Sequence, residues 1–310
     1  MENKSVLSKT PVVIGLAILC NLLWGSAAPS INLGYRLFGI ASAGSQSLIL
    51  FAGVRFFLSG VMIILLTSLP RKSLVRVRRE NLNMVVILAI MQTVLQYVFY
   101  YIGVAHTASV NCAIIQGLAA FLTIVIACYV FRTEKMNRLK WIGGATGVLG
   151  VIVMNITGEG GLSAMTLRGE GFLIMSLLVN ACAAGLIKIF SQKEDPVALS
   201  GWQFMLGGAI MAAIGYALGG RLHPTGWGAA AIFAHLVGIS AVAYTIWSLL
   251  LKHNPVSRIA PFMFLQPIFG VVLSLLIYGG SAEDLPRYGA ALVLVCLSIL
   301  IVGKGQQEKA

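Results

Sequence analysis

The sequence predicts an all-α integral membrane protein with ten transmembrane helices, arranged as two inverted five-helix repeats. Three observations carry this expectation. Hydrophobic residues make up 58% of the 310-residue chain and charged residues only 10%, with a mean hydropathy of +0.90, which leaves too little charge for the surface of a soluble domain. The apolar residues fall into runs close to the ~20 residues that a helix needs to cross the hydrocarbon core. The two halves of the chain also align with each other in order.

Lys4 and Lys9 give the first ten residues the look of a signal-peptide start. The apolar run that follows lasts a full span without a cleavage site, so it is read as a retained first helix. Spans are expected at 11–33, 46–69, 82–104, 108–131, 138–156, 169–190, 197–218, 227–251, 256–279 and 286–303. The loops between them are short and leave no room for a soluble domain. The runs are continuous rather than alternating, which points to helices and not to barrel strands.

Basic residues set the direction. With the N-terminus inside, seventeen of the 22 Lys and Arg residues lie in inner segments. Arg36, Arg168, Arg221 and Arg287 lie outside and Arg55 lies within a span. This asymmetry predicts both termini in the cytoplasm and an even number of spans. The net charge of +12 therefore belongs to cytoplasmic loops and not to a nucleic-acid surface. Cys20, Cys112, Cys128, Cys182 and Cys296 all sit in apolar runs without CxxC spacing, so no metal site, cofactor or disulfide framework is indicated.

The halves align best at offsets near 147. Tyr97 meets Tyr244, His106 meets His253, Ala113 meets Ala260, Leu118 meets Leu265 and Val125 meets Val272. At 148, Phe56, Leu58 and Gly60 meet Phe204, Leu206 and Gly208; at 159, Asn21 meets Asn180. The boundary is placed between 1–156 and 157–310. Five helices per half is an odd number, so the second half enters the membrane from the opposite side. Such inverted repeats are a device of transporters.

The chain resembles the drug/metabolite transporter superfamily in its EamA-type branch, over nearly its whole length. The residues that carry the resemblance are Leu23-Trp24-Gly25, Arg55, Phe131-Arg132-Thr133-Glu134 and Trp141-Ile142-Gly143-Gly144 in the first half. In the second half they are Pro255-Val256-Ser257, Leu265-Gln266-Pro267-Ile268-Phe269 and Gly289-Ala290-Ala291-Leu292. The fourth helix departs by having Ala120 where the ninth has Pro267, and the second half lacks an acidic residue matching Glu134. The resemblance implies a central cavity lined by helices 1–4 and 6–9, with 5 and 10 packed behind. It also implies export of amino acids or related metabolites as a common activity.

Polar groups inside hydrocarbon are costly and mark function or interhelical packing. Arg55 is the one charge near a span midpoint. It reads either as a ligand for an anionic or zwitterionic substrate, through its planar five-donor fork, or as a structural Arg bonded to carbonyls or snorkelling outward. Its repeat mate at offset 148 is the neutral Gln203. Gln92, Gln96 and Tyr100 share one face of the third helix, with Thr93 and Tyr97 beside them. Ser240, Tyr244 and Trp247 or Ser248 make a similar face on the eighth. These faces read as cavity lining or as hydrogen-bonded packing. Trp24, Asn21, Asn180 and Gln266 are further candidates.

Pro261 and Pro267 predict a kink in the ninth helix, with gating as a second reading. Gly143, Gly147 and Gly150 predict close packing within the monomer, with dimerisation as the alternative, so monomer and homodimer both stay open. The basic cluster from Arg71 to Arg79 is expected to anchor orientation at anionic lipid. No Asp or Glu lies in the interior of a span, Glu170 standing at an outer end; His235 is the one titratable alternative, read as a packing histidine or a proton carrier.

These features favour a secondary transporter, an exporter of a small metabolite, in the bacterial cytoplasmic membrane. No GxxxxGK[ST] loop is present for ATP drive. A membrane enzyme would need a catalytic cluster such as HExxH or paired carboxylates, and none is present; a non-transporting receptor or scaffold is the other alternative.

Overall fold

In a computed structural model of the chain, the described residues are 6–41, 44–107, 109–155, 166–278 and 285–307. All regular structure among them is helical. The helices are α1 (Thr10–Leu37), α2 (Ser45–Arg71), α3 (Arg79–Ala105), α4 (Ser109–Gly117 and Ala119–Tyr129), α5 (Arg138–Asn155), α6 (Leu167–Phe190), α7 (Pro196–Ala217), α8 (Gly226–His253), α9 (residues 256–278) and α10 (Leu285–Gln307). Eight of these, all but α4 and α5, are long and apolar enough to cross a membrane. Large apolar side chains such as Leu65, Leu66, Trp227 and Leu300 stand exposed on the outside, as expected where lipid is the solvent.

Local chemistry sets the ends. Pro11 opens α1, and Pro196 opens α7 behind the Asp195 cap, whose carboxylate accepts from Val197 N at 2.9 Å. Thr166 caps α6 by accepting from Gly169 N. Lys72 adopts φ 49 where α2 stops, the left-handed conformation common at helix C-termini.

Three helices are irregular inside. α3 is π-helical over Ala89–Leu95, and α6 starts with a π-helical turn over Leu167–Gly171. α9 passes from Val256–Ile259 into a 3-10 stretch, Ala260–Phe264, and back to α-helix at Leu265. Pro261 and Pro267 lack the amide hydrogens that would continue the ladder, so the predicted interruption is there. α4 breaks at Leu118, the repeat mate of Leu265, without any proline.

The packing has an internal regularity. α2 lies against α7 and α5 against α10. α1 packs on α8 and α9; α6 packs on α3 and α4; α2 packs on α8, and α7 on α3. Exchanging every helix for the one five places along maps this set of pairs onto itself. α2 and α7 run antiparallel: Gly60 faces Gly201 and Met205, and Gly53 faces Ala212. α5 and α10 also run antiparallel, with Gly143 against Ser298 and Val302, and Gly150 against Ala291. Gly143, Gly147 and Gly150 thus pack inside the monomer, Gly147 under the ring of Phe264.

The end of the bundle that carries most Lys and Arg is tied across the halves. Glu194, between α6 and α7, accepts from Arg78 Nε at 2.7 Å and Asn81 Nδ2 at 2.6 Å. Burial alone would raise its pKa. The hydrogen bonds from Asn81 and Arg78 and the Arg78 charge outweigh that and hold it below the usual carboxylate range. Glu134, after α4, pairs with Lys140 at 2.9 Å and accepts from the amide and hydroxyl of Ser257 at the start of α9. At the other end, Phe38 O accepts from His223 N and Leu37 O from Thr225 N, both at 3.0 Å. There Glu170 of α6 accepts from Asn111 of α4 at 3.0 Å.

Candidate functional site

Arg55 lies midway along α2 and is 4% exposed. Its guanidinium stands over the ring of Phe56, 4.5 Å from the centroid. The hydroxyls of Tyr35 on α1, Tyr97 and Tyr101 on α3 and Tyr244 on α8 lie within its electrostatic reach, and Tyr100 also senses its charge. Among the described residues no carboxylate pairs with it, and its Nε has no hydrogen-bond partner. Moving a guanidinium out of water is expensive. Ring quadrupole and phenol dipoles offset part of that cost.

The rings around Arg55 form one cluster drawn from both halves. Tyr97 and Tyr244, repeat mates, meet hydroxyl to hydroxyl. Phe56 stacks on Phe204 at 5.3 Å, and Phe204 meets Tyr244 edge-on at 4.9 Å. Trp24 from α1 packs edge-on against Tyr244 at 5.2 Å and Trp247 at 5.1 Å. Its indole Nε1 is buried and unpartnered.

Beside the cluster lies a closed amide knot. Gln203 accepts from Thr93 Oγ1 at 2.8 Å and donates to Gln92 Oε1 at 3.1 Å, all three buried. The π-helical stretch of α3 carries Gln92 and Thr93 and brings both to α7. One turn along, Gln96 receives Ser176 on its backbone carbonyl at 2.8 Å, while its own Oε1 is buried without a partner.

Towards the basic end, the α7–α8 seam continues in helical turns. Below Gln203 and Tyr244, Ser200 bonds Ser248 at 2.9 Å, both buried. Below that pair opens a cleft of about 430 Å³, lined in part by Arg78, Lys193, Glu194, Pro196, Leu249 and Lys252.

Residues 12–156 and 167–303 each match the EamA-like transporter family. The chain belongs to the EamA-like transporter family. An uncharacterized transporter of Synechocystis sp. is 24% identical, over 97% of this chain and 93% of its own length. Proteins named "Probable amino-acid metabolite efflux pump" from Salmonella typhimurium and Escherichia coli are each 24% identical, over 93% of this chain and 94% of their own. A solved crystal structure superposes with a TM-score of 0.77 at 14% identity, covering 97% of this chain and all of the other, and so shares the fold. As an EamA-like transporter, the chain is a multi-pass membrane protein that moves a small molecule and is not an enzyme.

Of the residues singled out in the sequence, this EamA-like transporter brings together Arg55, Tyr97, Tyr100, Tyr244, Trp24 and Trp247. Gln92 and Gln203 bond each other rather than facing an open site. Among the described residues no hydrogen bond ties Asn180, which is half-buried, to the Arg55 cluster, and Gln266 is exposed. His235 is exposed as well, so it does not pack as a core histidine. Tyr35, Phe56, Tyr101 and Phe204 belong to the cluster but were missed. Phe56, Tyr101 and Phe204 adjoin predicted residues, and Phe56 and Phe204 are also repeat mates at offset 148; Tyr35 had no such signal.

Proposed function

We propose that this EamA-like transporter is a secondary exporter working by alternating access, with Arg55 as the group that meets the cargo's anionic end. It sits in the bacterial cytoplasmic membrane with ten spans and both termini inside. Residues 1–156 and 157–310 are the two inverted repeats. The antiparallel packing of α2 with α7 and α5 with α10 supports the inversion, as do the two family matches. The observation that carries the site is a buried cation without an anion, enclosed by aromatic rings where the halves meet. Tyr97, Tyr100, Tyr244, Trp24 and Trp247 line the cargo, Gln96 faces it, and Gln92 and Gln203 brace α3 against α7. The names of the Salmonella and Escherichia relatives support amino-acid metabolites as the cargo class.

The test is efflux of amino-acid metabolites from loaded proteoliposomes. Arg55→Lys keeps the charge and loses the fork, so it weakens transport; Arg55→Gln weakens it further. Losing a charged hydrogen bond of ~1.5–3 kcal/mol lowers affinity by roughly 10- to 150-fold. A variant with an unchanged melting temperature and unchanged transport would remove Arg55 from the cargo site. An intact reconstituted protein that passes no metabolite would point to a receptor or scaffold.

A further inference from the structure

We infer that the cargo is a monocarboxylate with a flat apolar body and a neutral hydroxyl or amide N–H, not a free amino acid or an amine. This rests on the reading of Arg55 as the cargo-binding group and specifies what that group is built to hold.

Charge and unmet hydrogen bonds around Arg55 set the chemistry of the cargo. Arg55 is buried, and no carboxylate pairs with it among the described residues. The enclosure therefore lacks one negative charge, and a single carboxylate supplies it. Two buried donors in the same ring cluster have no acceptor, Arg55 Nε and Trp24 Nε1. A carboxylate has two oxygens and only accepts, so it suits both. A free amino acid brings the same carboxylate but adds an ammonium. That ammonium would lie close to the guanidinium in a space of low dielectric, with no acid of the protein to offset it. The unmet acceptors beside these groups are neutral amide oxygens, Asn21 Oδ1, three residues before Trp24, and Gln96 Oε1 on α3. Gln96 lies one helical turn before Tyr100, which senses the Arg55 charge. One neutral O–H or N–H satisfies such an oxygen without adding charge. The rest of the enclosure is ring surface, with Phe56, Phe204 and Tyr244 in mutual contact. Such walls match a planar apolar body.

The inference separates two nearly isosteric compounds. 3-Phenyllactate and phenylalanine differ by a hydroxyl in place of an ammonium, and phenethylamine keeps the ammonium and drops the carboxylate. Binding to the purified full chain is read by thermal shift, because a ligand of the folded state stabilises it. The expected result is that 3-phenyllactate reaches half-effect at a concentration at least about ten-fold lower than phenylalanine does, while phenethylamine has no effect. Arg55→Gln abolishes the difference. Trp24→Phe, which keeps a ring and removes one N–H, weakens 3-phenyllactate several-fold and serves if Arg55→Gln fails to fold. Equal or tighter binding of phenylalanine, with loss of both in Arg55→Gln, would overturn the inference and leave Arg55 as the cargo residue. Binding of 3-phenyllactate that is unchanged in both variants would overturn both readings. No response to 3-phenyllactate in the native chain would also overturn the inference, while efflux through Arg55 stays open to its own test.

Discussion

Tyr97 and Tyr244 join the two halves at the centre, beside the Phe56–Phe204 stack and the Gln203 knot. They are repeat mates in the sequence and hydrogen-bond partners in space. Removing one hydroxyl leaves the other buried with its partner gone. Tyr97→Phe and Tyr244→Phe should each lower stability by about 1–3 kcal/mol, the usual cost of an orphaned buried polar group. The double variant should cost less than the sum, because the second change removes the orphan left by the first. Thermal unfolding of the three variants measures this, and strict additivity would show that the hydroxyls do not act as a pair. At this scale the sequence was informative about chemistry and poor at assigning neighbours. Arg55 stands out because a lone charge inside an apolar run is visible in one dimension. Its neighbour Tyr35 comes from another helix, and no spacing along the chain reveals it; Phe204, which packs on Phe56 and Tyr244, shows in the sequence only as the repeat mate of Phe56. Gln203 misled for a related reason: an amide in a span looks like cavity lining, yet Thr93 and Gln92 use its oxygen and nitrogen.

Helices are where apolar periodicity speaks, and the predicted spans match the helices to within a few residues at most ends. The sequence also marked the small-residue face of α5, which lies against α10. It did not mark the tighter contact between α2 and α7, because Gly53 and Gly60, and Gly201 and Gly208, recur at seven residues rather than four. A Cβ on Gly53 would come 2.3 Å from the backbone nitrogen of Ala212, and one on Gly208 the same distance from that of Phe57. Neither backbone can yield without moving a whole helix. Gly53→Ala should therefore push α2 from α7 and lower the melting temperature by several degrees, as overpacking of about 1–3 kcal/mol does. Gly238→Ala, where an added Cβ meets nothing within 4 Å, is the matched control and should be near neutral or stabilising. Equal behaviour of the two would mean that the α2–α7 contact is looser than its geometry. The π-helical stretch of α3 had no sequence signal; it follows from the register that takes Gln92 and Thr93 to α7.

The whole molecule is closed around Arg55 and tied at both ends. An alternating-access cycle must undo one set of ties at a time. The ties at the basic end are carboxylates, Glu194 with Arg78 and Asn81, and Glu134 with Ser257 and Lys140. Those at the opposite end include backbone bonds from the α7–α8 loop to Leu37 and Phe38. Protonation can therefore loosen the basic end through Glu194. The hydrogen bonds and the Arg78 charge lower its pKa in the tied state. The tie is then fully present above the ordinary carboxylate pKa of ~4.3 and is lost as pH falls through the lower value of the tied state. Ser200 lies one turn above the cleft at that end and is buried against Ser248. A cysteine at position 200, with exposed Cys296 replaced by alanine, reports opening from that side. The thiolate is the form that reacts with a water-soluble thiol reagent and its share falls with pH, so labelling is read as a ratio to the same cysteine in the unfolded chain; that ratio should be low at neutral pH and rise as pH falls below the ordinary carboxylate range. In a Glu194→Gln background the tie is already weakened, so the ratio should be higher at neutral pH, and its rise in acid should shrink to that of the remaining groups. A low, pH-independent ratio in both backgrounds would show that Glu194 fastens the loops without controlling access to the seam.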